Sequence, residues 1–400
     1  MKKRGLSFLL AICMVLTLFP MASMAEEDVL GSPDIYTDVS FDDAKAYFVG
    51  SGTADDPFQI WTADDLYYIN YVEYWRDTTG SPEIYHYQQM DDIDLSDAAR
   101  FDKETGYITA NFGGVYDGGG FSVSGMVKPL FYFTKGTYIG DADGAVFTGY
   151  ASGDSHDKVF SAIVRNLTIQ EPAVEQTVAT DVIEQIGAVA AYAVNTAFYN
   201  ISVSGGYVNG ISGAASIAGR AGSVVLDSCV SDADIYSSMH RASGMVANLR
   251  IIDEKKGATT TSLVTNCTFT GSISGQMDGR RGAAGIVGGV YCDGEATLSQ
   301  KLPLYLIGNT FSGGSISLDL TGDSAMGGIL GVVLGEVDLV VQGNTVSNVT
   351  MDAETNGFAL DAGGVIGRID GYNTEGVSSE IENNTVENAT FPVTDVEAKV

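Results

Sequence analysis

The chain has 400 residues, which is enough for two or three ordinary domains or for one elongated array of repeats. Its 51 acidic and 21 basic residues give a formal net charge of -30. This charge excludes nucleic acid as a partner, because nucleic-acid binding needs a basic surface, and it disfavours an anionic membrane. Charged residues are only 18% and hydrophobic residues 45% of the chain, so it is not a disordered acidic tail.

The first 25 residues have the pattern of a secretory signal peptide. A basic start, Lys2–Arg4, precedes an apolar run over 6–20, and Ser23 and Ala25 supply the small residues that signal cleavage requires. A membrane anchor is the less favoured alternative, because the apolar run is short and acids follow it at once. We therefore expect a Sec-exported bacterial protein, secreted or on the cell surface, without membrane insertion of the mature chain. Residues 26–47 are expected to be an N-terminal linker.

Residues 48–160 are predicted to form an N-terminal cap and the first coils of a β-helix. Thr62 is a candidate N-cap, and Asp65 stands where a capping box places its acid, so a helix is expected over 63–77. An apolar stripe follows at Leu66, Ile69, Val72 and Trp75. The tyrosines at 67, 68, 71 and 74 fit amphipathic packing, with a sugar-binding platform as the alternative.

Residues 161–400 repeat. One recurrent motif is a polar pair that leads into an apolar residue, with the apolar positions at Leu167, Ile201, Val230, Phe269, Phe311, Val346 and Val386. A second motif alternates with it and places small residues around two aliphatic ones, as in Gly327-Gly328-Ile329-Leu330-Gly331. Short strands of this kind are stable only when equivalent strands stack on them. The pattern predicts an all-β, right-handed parallel β-helix, whose capping region contains one α-helix.

The cysteines of the mature chain are Cys229, Cys267 and Cys292. They are expected to be small buried hydrophobic residues, and a Cys229–Cys267 bridge is open if the two positions stack on neighbouring coils. The Asn-x-Ser/Thr sequences are interpreted as turns that stack from coil to coil; they begin at Asn166, Asn200, Asn266, Asn348, Asn383 and Asn388.

Several segments, in their order along the chain, resemble the GLUG-repeat family of bacterial exported proteins. They include Asp56-Pro57-Phe58-Gln59-Ile60, Asp92-Ile93-Asp94-Leu95-Ser96 and Phe112-Gly113-Gly114-Val115-Tyr116-Asp117-Gly118, followed by the repeats. The resemblance covers about 48–390 and implies a right-handed β-helix of an adhesin-like surface protein. Residues 161–400 depart from the family's pattern through irregular spacing and through Ala or Ser in place of several glycines.

No catalytic residue is predicted. The Gly153-Asp154-Ser155 sequence suggests an esterase serine, but neither His156 nor His240 is placed to act as its base. No cofactor is predicted. Adventitious Ca²⁺ remains open at Asp91, Asp92 and Asp94 or at 141–143, although neither has an EF-hand layout. The basic residues best placed for a groove are scattered through the repeats: Arg220, Arg241, Arg250, Arg280 and Arg281.

These observations favour a non-catalytic exported solenoid that acts in adhesion or as an extended scaffold, with a host or cell-surface glycan or protein as partner. The alternatives are a secreted polysaccharide lyase or glycoside hydrolase, and a carbohydrate-binding module. Arginines that converge in one groove would favour the polysaccharide-active alternative.

Overall fold

The computed structural model describes residues 36–97, 105–137, 160–176, 185–251, 262–279, 281–292, 304–335, 337–370 and 379–394. All of them belong to one unit, Pro33–Val400. Every pairing between its strands is parallel, and the strands form three sheets of 22, 7 and 6 strands. The prediction of a parallel β-helix is therefore confirmed.

The strands of the large sheet that come before residue 185 are short, apart from the last. They are Phe58–Ile60, His86–Gln89, Ile93–Asp94, Val115–Asp117, Ser122–Ser124, Phe131–Lys135 and Ala162–Gln170.

Six coils follow, over 185–210, 213–237, 241–277, 281–320, 324–354 and 360–394. In each coil the chain runs through the third sheet, then the large sheet, then the second sheet. The third sheet contains Gln185–Gly187, Gly213–Ala215, Arg241–Ser243, Arg281–Ala284, Ser324–Gly327 and Leu360–Gly363. The second sheet contains Ala173–Glu175, Tyr207–Gly210, Asp234–Ser237, Ser272–Met277, Ser315–Leu320, Thr350–Glu354 and Val393–Thr394.

Within the coils, the large sheet receives up to three strands from each turn. They are Ala190–Ser204, Ala218–Asp227, Val230–Ser231, Val246–Ile251, Ser262–Thr265, Thr268–Phe269, Val287–Cys292, Leu304–Ile307, Thr310–Ser312, Leu330–Leu334, Leu339–Gln342, Thr345–Ser347, Ile366–Asp370, Ser379–Glu382 and Thr385–Glu387.

The N-terminal cap contains two helices where the sequence predicted one. Helix α1, Phe41–Ala46, lies in the segment interpreted as a linker and has Ser40 as its N-cap. Asp42 and Asp43 lie in its first turn, where negative charges stabilise the N-terminus of a helix. Helix α2, Ala63–Thr79, has the predicted capping box of Thr62 and Asp65 and ends at Gly80.

Helix α2 packs its apolar face into the core of the β-helix. Leu66, Ile69 and Val72 are fully buried, while the Trp75 indole donates to the Val39 carbonyl at 2.9 Å. Tyr67, Tyr71 and Tyr74 form an edge-to-face cluster with Tyr36, whose ring centroid lies 5.1 Å from that of Tyr71, and Tyr68 stacks on Tyr47. Packing inside the cap thus accounts for these tyrosines.

The register confirms part of the predicted repeat and corrects three of its positions. Phe269, Phe311, Val346 and Val386 form one column, as predicted. The earlier members of that column are Ile169, Val203 and Ser231, not Leu167, Ile201 and Val230. A shift of one residue moves a side chain to the opposite face of a strand, and Val230 is accordingly 42% exposed.

A neighbouring position carries a buried asparagine ladder. Asn344 donates from Nδ2 to the Leu306 carbonyl at 2.8 Å and to Oδ1 of Asn384 at 2.9 Å, and its own Oδ1 accepts from the backbone N–H of Asn309 at 2.8 Å. These amides satisfy backbone groups at a corner where the chain leaves the sheet. Cys267 lies in the same ladder, since its N–H donates to Oδ1 of Asn309 at 3.0 Å.

The predicted asparagine turns are confirmed. All six sequon asparagines have left-handed backbone, with φ between 48° and 56°; they are Asn166, Asn200, Asn266, Asn348, Asn383 and Asn388. Their side chains connect successive coils, as where Asn200 donates to Asn166 at 3.0 Å. Cys229 and Cys267 are buried free thiols, so the buried interpretation holds for them and the structure contains no bridge between them.

Candidate functional site: a buried arginine cluster

The outer faces of the large and third sheets meet along one side of the coils. On strand Val287–Cys292, Val290 points into the core, so its neighbours Gly289 and Tyr291 point to the outer face. Tyr291 packs there against Ala325 of the third sheet and Val332 of the large sheet. The same junction contains the Arg368–Asp361 ion pair, 2.6 Å long, in the last coil.

Three guanidinium groups converge on the ring of Tyr291. Their Cζ atoms lie 4.3 Å (Arg241), 5.2 Å (Arg250) and 5.8 Å (Arg281) from its centroid. The residues come from three different strands on two coils, namely Arg241–Ser243, Val246–Ile251 and Arg281–Ala284. We call Arg241, Arg250, Arg281 and Tyr291 the arginine cluster.

Glycine at position 289 makes this arrangement possible. A Cβ placed there would lie 2.6 Å from Cε2 and 2.8 Å from the hydroxyl of Tyr291, so the ring occupies the space that a side chain would need. In the strand register, Gly289 lies opposite Asn248 of the preceding coil, and Tyr291 lies opposite Arg250. The Tyr291 ring therefore lies along its own strand, over the position that is Gly289 in this coil and Asn248 in the preceding one.

The cluster is buried. Arg241 is 1% exposed and is the largest fully buried side chain, Tyr291 is 6% exposed, and Arg281 is half-buried. Burial of a charge is costly unless it is paired. In the part of the chain that the structure describes, Arg241 has no carboxylate within ion-pair distance and its Nε has no hydrogen-bond partner.

Other polar groups on this side of the coils also lack partners among the described residues. They are the hydroxyl of Ser243 and the amide groups of Gln185 and Asn248. Gln185, Gly213 and Arg241 follow one another in register along the third sheet. Native structures seldom leave so many buried polar atoms unsatisfied in one place, so the junction has the donor set of an anion site.

The arginines also set the acidity of the tyrosine. Burial alone would raise the pKa of Tyr291, but the charges of Arg241 and Arg281 outweigh it and hold that pKa below its ordinary value. For Arg241, burial lowers the pKa; Tyr291 opposes this effect, while Arg281 and Arg250 add to it. The arginines thus give the junction a positive potential, which favours a negative charge there.

Of the five arginines predicted for a groove, the structure brings three together. Arg220 lies one coil earlier, 4% exposed and in register with Asn248, and Arg280 lies outside the described residues. Tyr291 was missed by sequence reasoning. The available signal was a lone tyrosine two residues after a Gly-Gly pair in an otherwise aliphatic strand.

The remaining sequence candidates do not form a second site in the described chain. Residues 153–156 and 141–143 lie outside it. Asp92 accepts from the N–H and hydroxyl of Ser122 at 2.8 and 2.9 Å, and Asp94 accepts from the Ser96 N–H at 2.9 Å. Across the described ranges, no group of three His, Cys, Asp or Glu side chains could hold a metal ion. None of the helices found there could span a membrane.

The solved structures that resemble the chain include the following two. One is described as "a putative immunoglobulin A1 protease" from Bacteroides ovatus, with 15% identity, a TM-score of 0.46 and 86% of each chain covered. The other, "IgA1 Protease", has 13% identity and a TM-score of 0.44; the match covers 83% of this chain but 21% of that one. No family model matches the chain, and no curated protein matches it.

These names correct one expectation. Both neighbours are named as enzymes, which overturns the prediction that this chain is not one, and we withdraw that prediction. At 15% and 13% identity we transfer no activity, substrate or residue from them. The GLUG resemblance stays a prediction.

Proposed function

We propose that this chain is an exported adhesion protein whose β-helix binds acidic glycans through the arginine cluster. The observation that carries the proposal is the convergence of Arg241, Arg250 and Arg281 on one tyrosine ring, with the Nε of Arg241 left without a partner in the described chain. Guanidinium groups pair with carboxylates in a planar, two-bonded geometry. A uronic acid residue offers such a carboxylate.

The surrounding groups support a sugar ligand over a simple ion. Amide groups such as those of Gln185 and Asn248 can bind hydroxyls, and an aromatic ring can pack on a sugar face. Coils stack about 4.8 Å apart in a parallel sheet, so a junction that runs along the coils can contact successive units of a polymer. Arg281, the half-buried member of the cluster, is the arginine that a carboxylate would contact first.

The test is calorimetric titration of residues 26–400 with polygalacturonate. Fully methyl-esterified polygalacturonate is the matched control, since it keeps the sugar and removes the charge. We expect binding of the acid form only, with a loss of at least about tenfold in Arg241→Met. Equal binding of both polymers, or unchanged binding by Arg241→Met, would refute the proposal.

A second candidate function is cleavage of the same glycans by β-elimination, and the depressed pKa of Tyr291 favours it. In that reaction the Tyr291 phenolate would take the proton from C5 of a uronate, a C4–C5 double bond would form, and the C4–O bond would break. The leaving oxygen would then receive a proton, which regenerates the phenolate when Tyr291 supplies it.

Cleavage is measured by new reducing ends and by the ultraviolet absorbance of the unsaturated product. Tyr291→Phe should bind polygalacturonate as the wild type does while releasing no product. If the wild type binds polygalacturonate but releases no product, the adhesion proposal stands and the proposed cleavage is refuted.

A further inference from the structure

The outer face of the third sheet lacks a side chain at Gly213, one coil before the arginine cluster. Ala214 belongs to the core, so its neighbour Gly213 faces outward. In register, Gln185 lies opposite Gly213 in the preceding coil, and Arg241 lies opposite it in the following coil. A Cβ at Gly213 would lie 3.0 Å from Cγ of Gln185, so the Gln185 side chain extends over the glycine.

The strand of the large sheet that carries Asn248 faces Gly213 across the junction. A Cβ at Gly213 would lie 3.4 Å from Cβ of Ala247, the residue before Asn248. Two coils later, a Cβ at Gly282 would lie 2.9 Å from Cγ1 of Val332. Gly282 belongs to the column of Gly213. Val332 belongs to the column of Asn248. The stacking of the coils therefore places Asn248 across the junction from Gly213, and we call the position between them the Gly213 gap.

The side chains around the Gly213 gap need both hydrogen-bond donors and acceptors. Gln185 is 1% exposed and Asn248 is fully buried, and the amide oxygen and nitrogen of each have no hydrogen-bond partner within the described chain. The Nε of Arg241 lacks one as well. A carboxylate only accepts hydrogen bonds, so it would leave the amide oxygens of Gln185 and Asn248 unpaired. A ligand that fills the gap must therefore carry a donor beside its acidic group.

An acetamido group fits this requirement better than a hydroxyl does. Its trans amide is planar, with the N–H and the C=O on opposite sides. Gln185 and Asn248 approach the gap from two different sheets, so one of them can accept from the N–H while the other donates to the C=O. A single hydroxyl oxygen would have to meet both amides at one point. The gap lies one coil, about 4.8 Å, from Arg241.

We propose that the Gly213 gap binds the acetamido group of an N-acetylhexosamine that adjoins the uronate held by the arginine cluster. The inference rests on the proposed binding of acidic glycans and names their class, a polymer in which uronate and N-acetylhexosamine alternate. Gln185 and Asn248 set this specificity. Arg241 lies between the two subsites and holds the carboxylate.

The experiment is calorimetric titration of residues 26–400 with a hyaluronan hexasaccharide, which alternates glucuronate and N-acetylglucosamine. The matched ligand is an oligomer of the same length and charge in which glucose replaces N-acetylglucosamine. Gln185→Leu and Asn248→Leu each remove one amide of the gap. Gln276→Leu, at an exposed position of the second sheet, is the matched control variant. Urea unfolding checks that all three variants fold.

We expect the wild type to bind hyaluronan at least about tenfold more tightly than the glucose oligomer. Gln185→Leu and Asn248→Leu should bind the two oligomers about equally, and Gln276→Leu should keep the preference of the wild type. Equal binding of both oligomers by the wild type, a preference that both gap variants retain, or binding of neither oligomer would overturn the inference.

A parallel titration with polygalacturonate distinguishes this failure from that of the proposed function. If the wild type binds polygalacturonate and Arg241→Met does not, the binding of acidic glycans stands and only the acetamido subsite is refuted. If polygalacturonate does not bind either, both proposals are refuted.

Discussion

Replacement of Arg241 by methionine should separate a ligand site from a structural cluster. Arg241 is 1% exposed, and its ring contact with Tyr291 spans 4.3 Å. If the residue serves a ligand, its buried charge costs stability in the free protein, because no carboxylate pairs with it in the described chain. Removal of a buried ionic group in favour of an apolar one of similar volume stabilises proteins by about 1–4 kcal/mol in known cases.

The lost contact with Tyr291 reduces this gain. A desolvated cation–π contact contributes about 2 kcal/mol. We therefore expect Arg241→Met to change the free energy of unfolding by only about −1 to +2 kcal/mol, as the balance of these two effects. The assay is urea unfolding of residues 26–400, read from the transition midpoint at an unchanged slope.

Arg368→Met is the matched control. Arg368 lies in the same junction but pairs with Asp361, and the two side chains are 24% and 47% exposed. Its replacement should lower stability by no more than about 1 kcal/mol. A loss of more than about 2 kcal/mol in Arg241→Met would refute the reasoning, because it would show that Arg241 is satisfied in the folded protein and holds the coils together.

Three further predictions concern single side chains. The phenolate difference spectrum between wild type and Tyr291→Phe should show ionisation of Tyr291 below pH 10. Arg241→Met should move that ionisation to higher pH, because the positive charge that lowers the pKa of Tyr291 is gone. An unmoved titration would show that Arg241 does not affect the pKa of Tyr291. Gly289→Ala should displace the Tyr291 ring, because the new Cβ would lie 2.6 Å from it, and cost about 1–3 kcal/mol in the same urea assay; a neutral effect would show that the ring is free to move. Asn344→Ala should lower the free energy of unfolding by about 2–4 kcal/mol, because it leaves buried backbone groups unpaired. Ser317→Ala removes an exposed hydrogen bond of 2.8 Å to Asp352 in the next coil and should lower it by about 0.5 kcal/mol or less. Equal losses in the two variants would show that the asparagine ladder does not stabilise the fold.

Local chemistry made the turns and the helix predictable. An asparagine tolerates left-handed backbone, so the turn positions of Asn166 and Asn200 could be read directly from sequence. The capping box of Thr62 and Asp65 likewise requires only neighbours in the chain. Helix α1 was missed because its six residues carry too little apolar periodicity to distinguish it from a linker.

Long-range register was less predictable. Val230 was aligned with Phe269 because both follow a polar pair, yet Ser231 is the residue opposite Phe269. A repeat motif tolerates a shift of one residue, but a strand with one buried face does not. The asparagine ladder shows the same limit, since Cys267 contacts Asn309 through a register that spacing alone does not specify.

The arginine cluster combined predictable and unpredictable parts. The arginines were visible as scattered cations, but their convergence depends on the meeting of two sheets and on the lean of one ring over Gly289. The stacking of two successive coils brings Arg241, Arg250 and Arg281 together although they are separated along the chain. No periodicity in the sequence encodes that contact.

The most direct test of the central claim is the effect of a galacturonate oligomer on the unfolding midpoint. A ligand that binds only the folded state stabilises it by about 2.7 kcal/mol at a concentration of one hundred times its Kd. We expect the wild type to shift to a higher midpoint with the oligomer, and Arg241→Met to show no shift. An equal shift in both proteins would place the ligand elsewhere, and no shift in the wild type would contradict the claim that the arginine cluster binds an acidic glycan.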